Sequence, residues 1–297
     1  MALDEIFKCQ TSVHNLSIHH TALGSTSSPP LIFIHGTPWS HKVWLPYAQS
    51  FAADYRVYLF DNPGYGVSPL GTAVSDAVTP EEDLDAPLTS QAEGFSQLFQ
   101  HWRERDSWTQ NPHVIAHDNA GLVSLRANIQ HACDYASLCL IDVVAIQPFG
   151  SPFFQLAAQN ESVFAAIPAN MFKGFVHGYI ADAAYKRLPD DVMDMLMEPW
   201  MEQGTQGPHG FLRQMIQAHG RHARDVEARF HEVGAKMPVK VIWGKQDQWL
   251  EVERAARLAE MVGAKELVLL GDAGHLVHYD QPERLGVELG LWIGKVG

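Results

Sequence analysis

Three side chains stand where short apolar runs give way to turns, in the order Asp118, Asp247, His275. Asp118 closes the run His113 to His117 and is followed by the small residues Asn119, Ala120 and Gly121. That pattern predicts a buried strand, a sharp turn at Asp118 and a helix behind it. Asp247 follows Trp243-Gly244-Lys245-Gln246, and His275 follows Gly271-Asp272-Ala273-Gly274. A nucleophile, a carboxylic acid and a histidine in this chain order form a nucleophilic catalytic set. The chemistry depends on the first member being a carboxylate. A carboxylate is anionic at neutral pH and attacks without a base. Its attack on saturated carbon gives an alkyl ester, which histidine-activated water can cleave. Attack on an acyl group would give a high-energy anhydride. The residue types therefore point to an alkyl electrophile, such as an epoxide or a haloalkane.

Positioning three such ends requires repeated strand–loop–helix units. Leu31 to Ile34 runs into His35-Gly36-Thr37-Pro38, and Val57 to Phe60 runs into Asp61-Asn62-Pro63-Gly64-Tyr65-Gly66. Leu138 to Ile141 leads to Asp142, Val239 to Trp243 leads to Gly244, and Leu267 to Leu270 leads to Gly271. Such short uninterrupted apolar runs read as buried parallel strands. Residues 89–106, 119–131 and 251–262 carry helical periodicity between them. The fold class is α/β, with a mostly parallel sheet flanked by helices. Between Gln147 and Met237 the rhythm stops. That segment is rich in Phe, Met, Ala and His and reads as several short helices, with a loop at residues 204–208. The predicted organisation is a core of residues 1–147 and 237–297 with a helical lid, 148–236, inserted between Pro148 and Pro238. Residues 76–87 read as a long surface loop.

Bulk properties narrow the partners. The chain has 297 residues, a formal net charge of −13, sixteen histidines and three cysteines. With no basic run, nucleic acid and anionic membranes are poor partners. The odd cysteine count, without metal-ligand spacing at Cys9, Cys133 and Cys139, argues against a disulfide framework or a metal centre. No signal peptide or membrane span is legible, so a cytoplasmic location is expected. No cofactor is expected, because the turn from Asp61 to Ser68 is not a dinucleotide fingerprint. The expected partner is a small hydrophobic organic substrate, bound by a monomer or a homodimer.

Taken with the motifs at His35 to Pro38, Asp61 to Ser68, Asp118, Trp243 to Asp247 and Gly274-His275, the chain resembles the α/β-hydrolase fold over nearly its whole length. Within it the chain is similar to the aspartate-nucleophile branch of epoxide hydrolases, haloalkane dehalogenases and haloacetate dehalogenases. The resemblance implies an oxyanion site at the backbone N–H groups of Thr37 and Asn119. It also offers Asp142, at the end of the strand after Asp118, as an alternative acid to Asp247. A halide-binding tryptophan after the nucleophile is absent: Asn119 stands there, with Trp39 nearby. The arginines of haloacetate enzymes are missing too; Leu122 stands in one of their places and Arg126 lies a turn further on. Epoxide hydrolases protonate the opening ring with lid tyrosines, for which Tyr179 and Tyr185 are available, or a lid histidine (His177, His209, His219 or His222) could serve. Trp39, Phe149, Phe153, Phe154 and Phe172 are candidate pocket walls. Epoxide opening to a diol is the favoured expectation, with dehalogenation as the alternative. A non-hydrolytic cyclase or lyase, or a ligand-binding relative, is a further alternative.

Overall fold

The computed structural model describes residues 2–78, 87–201, 204–217 and 221–296. At its centre is one sheet. In chain order the strands are β1 (Glu5–Gln10), β2 (His14–Leu23), β3 (Pro30–Ile34), β4 (Arg56–Phe60), β5 (Thr72–Ala73), β6 (His113–His117), β7 (Ser137–Ile141), β8 (Val239–Gly244) and β9 (Glu266–Leu270). Across the sheet they lie in the order β1-β2-β4-β3-β6-β7-β8-β9, with the short β5 paired to β2. From β4 onward this path is parallel. Strands β3, β6, β7 and β8 are buried at every residue. Both faces are covered by helices, which explains why their sequences are apolar runs rather than alternations. Edge strand β9 is also an apolar run, but it is not the buried strand its sequence suggests: Leu267 and Leu269 are exposed, because no further strand or helix covers that side of the edge among the described residues.

The apolar pattern does not reveal β1 or β2, an antiparallel pair that continues the sheet beyond β4. Their His, Asn, Ser and Thr residues hide it, and β1 has no fully buried position. The C-terminal helix Pro282–Val296 is likewise absent from the sequence reading. The expected helices at 89–106, 119–131 and 251–262 occur as Pro87–Arg105, Ala120–Gln130 and Glu253–Met261. Of the expected surface loop, residues 79–86 lie outside the described residues.

Strand β3 feeds β4 on one side, while β6 lies on its other side. Chain direction across the sheet therefore reverses between β3 and β6, and a crevice forms at their carboxyl ends. His35 to Thr37 leave β3 there, and Asp118 leaves β6. Between β7 and β8 the described residues contain helices and turns but no strand. The helices are Pro152–Gln159, Glu161–Ala165, Ala169–Ala183, Asp190–Met197, Gly207–Gln217, Arg221–Arg224 and His231–Lys236. The expected loop at 204–208 is shorter than the sequence suggests, because a helix already starts at Gly207. This segment is fastened to the loops of the sheet. Trp200 Nε1–H donates to the Pro38 carbonyl at 3.0 Å. Leu276 N–H donates to the Ala183 carbonyl at 2.9 Å.

Candidate active site

Asp118 occupies the turn between β6 and its following helix with φ of 57°. The left-handed conformation costs an ordinary residue roughly 1–2 kcal/mol. Three backbone hydrogen bonds oppose that cost: Asp118 N–H to Ile141 O at 3.2 Å, Gly121 N–H to Asp118 O at 3.0 Å and Val144 N–H to Asp118 O at 3.1 Å. At about 1 kcal/mol net each, they outweigh the strain. Two glycines permit the packing. A Cβ on Gly36 would lie 2.3 Å from Asp118 Cβ, and one on Gly121 would lie 2.4 Å from Val143 Cβ. The loop after β3 can therefore press against Asp118, and the helix Ala120–Gln130 can lie close over the strand ends.

That close approach lets Thr37 N–H donate to Asp118 Oδ1 at 2.7 Å. The loop is braced by its side chains. Asn119 Nδ2 donates to Thr37 Oγ1 at 2.7 Å, and Thr37 Oγ1 bonds the Tyr65 hydroxyl at 2.6 Å. Asn119 begins the buried helix, whose N-terminal end adds a positive field at Asp118.

His275 Nε2 lies 3.2 Å from Asp118 Oδ2, and Nδ1 lies 2.9 Å from Asp247 Oδ2. The remaining oxygen of Asp247, Oδ1, accepts Trp249 N–H at 2.8 Å and Leu250 N–H at 3.0 Å. All three side chains are buried. Burial alone would lower the His275 pKa, but the charges and hydrogen bonds of Asp247 and Asp118 outweigh it and raise it well above the ordinary value of 6.5. The loop bearing His275 is clamped by Asp280, whose Oδ2 accepts the Gly274 and Tyr185 N–H groups, each at 2.8 Å.

Behind His275 lie two more imidazoles. His117 Nε2 is 2.9 Å from the His275 carbonyl, and the His117 and His278 rings meet at 4.5 Å. Burial depresses both, His278 to about 3, so they stay neutral and add no charge beside His275. Asp61 serves the neighbouring loop. It accepts His41 N–H at 2.7 Å, His41 Nδ1–H at 2.9 Å and Val67 N–H at 2.9 Å. Burial would raise its pKa, but His41 and His35 hold it below the usual carboxylate value.

The expected wall residues separate into two groups. Trp39 is buried, stacked 6.0 Å from Trp249, and its Nε1–H has no partner among the described residues. Tyr179 is buried against Trp249 at 4.4 Å and Phe153 at 5.2 Å, and its hydroxyl likewise has no partner among the described residues. Burial and the nearby Asp118 charge push the Tyr179 phenol well above its ordinary pKa, so it remains a proton donor. Trp249 also covers His275 at 4.9 Å. Phe149, Phe154 and Phe172 are buried. Tyr185 is not brought to the site. It lies beyond the helix that carries Tyr179, 49% of its surface is exposed, and its backbone rather than its phenol is engaged. Their six-residue spacing and the helix end at Ala183 separate the two tyrosines.

Asp142 does not bond His275; its Oδ1 accepts Gly244 N–H at 2.8 Å. Among the candidate histidines, His177 and His209 are exposed, His222 meets Arg126 through its carbonyl, and His219 lies outside the described residues. Arg126 is buried and pairs with Asp225 at 2.6 Å, in the helical segment. Trp249 escapes the sequence reading, although its position two residues after Asp247 is an available signal. Outside the Tyr179–Trp249 contact, a groove of about 480 Å³ is lined by those two rings with Phe153, Phe175, Asp182 and Gln248. Trp249 Nε1–H is tied to Asp182 at 3.1 Å. Among the described residues, no group of three or more His, Cys, Asp or Glu is placed to hold a metal ion, and no helix is long and apolar enough to cross a membrane.

The chain belongs to the alpha/beta hydrolase family, whose model matches residues 31–286. An alpha/beta hydrolase fold protein from Burkholderia ambifaria is 32% identical, with 97% of each chain covered and a TM-score of 0.81. Epoxide hydrolase 1 of Caenorhabditis elegans is 21% identical over 296 residues, covering 94% of this chain and 68% of that protein. Monoacylglycerol lipase ABHD6 of Homo sapiens is 41% identical over 264 residues, covering 86% of this chain and 72% of that protein. The protein is thus a hydrolase of the alpha/beta fold.

Proposed function

We propose that this hydrolase opens an epoxide to a diol through an alkyl ester on Asp118. The observation that carries the reading is a buried carboxylate held from both sides. Thr37 N–H fixes Oδ1, and Oδ2 faces His275. Oδ2 is then the attacking atom, and Oδ1, which accepts Thr37 N–H, becomes the oxyanion of the later step, with Asn119 N–H as its second expected donor. Tyr179, an unpartnered phenol under the influence of Asp118, supplies the proton to the opening ring oxygen.

The two carboxylates around His275 separate the steps. In the free enzyme they favour imidazolium. Esterification removes the charge of Asp118, so His275 gives up its proton, which restores the Tyr179 phenol, and the neutral imidazole can then draw a proton from water. The hydroxide attacks the ester carbonyl, and collapse of the tetrahedral intermediate frees the diol and restores Asp118. Helices between residues 148 and 236 act as the lid, and the groove outside Tyr179 and Trp249 is the approach for a small hydrophobic substrate.

A second reading, haloalkane dehalogenation, draws support from the unpartnered Trp39 Nε1–H, a ready halide donor. Asn119 Nδ2 is engaged by Thr37, which leaves a weaker halide clamp. One experiment separates these readings. His275→Phe is incubated with panels of epoxides and haloalkanes and weighed intact. Trapped epoxide adds its whole mass to Asp118; a haloalkane adds its mass less hydrogen halide. The expected result is the first, lost in Asp118→Asn. No adduct from either panel, together with wild-type turnover of monoacylglycerol esters, would overturn both readings.

A further inference from the structure

Asp142 leaves β7 with φ of 43° and is completely buried. Its backbone N–H reaches Ile242 O on β8 at 3.1 Å, so its position is set by the sheet. Oδ1 accepts one donor, Gly244 N–H. Oδ2 is enclosed and, among the described residues, receives no donor. Asp247 lies beside Asp142: its N–H donates to the carbonyl of Gly244, whose own N–H holds Asp142, and the two carboxyl groups are hydrogen-bonding neighbours. Donors are shared unequally between the two acids. Asp247 receives three, from Trp249, Leu250 and His275, whereas Asp142 receives one. Two touching buried carboxyl groups do not both ionise, and the proton belongs on the group with fewer donors.

We propose that Asp142 is a neutral carboxylic acid that donates its Oδ2 proton to Asp247, and so acts as a positioning residue for the carboxylate behind His275. This rests on Asp247 being the catalytic partner of His275. Burial and the Asp247 charge push the Asp142 pKa well above the carboxylate range, while His275 and Gly244 N–H act in the opposite direction. Asp247 and His275 are the ionisable groups facing it. The donated bond locks the Asp247 carboxylate in the plane that serves His275 Nδ1 and draws charge away from that contact.

Infrared spectroscopy tests the proton directly and needs no substrate, so it is independent of the reaction assignment. The wild type minus Asp142→Asn difference spectrum at pH 7 should contain a protonated-carboxyl band. Its absence would mean Asp142 is ionised and would overturn the proposal. Kinetics test the positioning. Asparagine keeps both a donor and tolerance for positive φ, so Asp142→Asn should retain kcat within about 3-fold with an unmoved pH profile. Asp142→Gly keeps the backbone but removes the donor. It should lower kcat about 10-fold and move the acid limb upward by about half a unit, because more charge on Asp247 favours imidazolium. An Asp142→Asn loss as large as that of Asp247→Asn, or an unmoved limb in Asp142→Gly, would also overturn it.

Discussion

The strand ends and the helices above them are held by different forces. At the strand ends the backbone supplies the donors to the carboxylates: Thr37 to Asp118, and Trp249 and Leu250 to Asp247. In the helical segment, Phe153, Phe164, Phe175, Tyr179 and Phe211 hold one another through ring contacts of 5.2–5.8 Å. A hydrogen bond to a charged group is worth about 1.5–3 kcal/mol and has a fixed direction. An aromatic pair is worth roughly 0.5–1.5 kcal/mol beyond its burial and tolerates many angles. The strand ends are thus suited to a fixed reaction geometry, and the helices to adapting around the body of a substrate.

Substitutions should follow this division. Asp247→Asn takes the charge from the His275 partner while preserving its shape, and should lower kcat by about 10²–10⁴ with substrate affinity little changed. Steady-state kinetics on one substrate checks it, and a small loss would shift the acid role away from Asp247. Tyr179→Phe removes one proton donor from the helices and should slow epoxide opening about 100-fold. Cleavage of a preformed Asp118 ester should be unaffected. Single-turnover measurements separate the steps; equal slowing of both would make Tyr179 a packing residue.

The charge at His275 should also appear in stability. Its folded pKa lies above 6.5, so its contribution is complete below that pH and is lost as pH rises through the raised value. The Tm difference between wild type and His275→Phe should therefore shrink steadily above pH 6.5. A pH-independent difference up to pH 10 would mean the histidine is neutral between the carboxylates. The smallest effect belongs to the exposed Tyr185. Tyr185→Phe should change kcat and KM less than about 2-fold; a Tyr179-sized loss would bring it back into the site.

Legibility in the sequence divides along the same line. The runs ending at Ile34, His117, Ile141 and Gly244 are readable because parallel strands buried on both faces must be apolar throughout. Asp118 and Asp247 are readable because each follows such a run, and His275 because it follows the apolar edge run Leu267 to Leu270 and the turn Gly271 to Gly274. Strands β1 and β2 are not, since an exposed edge and polar buried side chains blur the alternation. Trp249 escapes because its value lies in stacking on His275, Tyr179 and Trp39, which come from distant parts of the chain.

From its own order of residues, the chain determined an α/β sheet, a carboxylate on a tight turn, and an acid and a histidine further on. Those features are local: burial pattern and turn chemistry act over a few neighbours. Tertiary structure put Asp247, the acid the sequence favoured, rather than Asp142 in contact with His275, and buried Tyr179 while leaving Tyr185 exposed. Those choices depend on side-chain directions and on which oxygen receives which N–H, and such quantities exist only once the strands are side by side and the helices are packed across their ends.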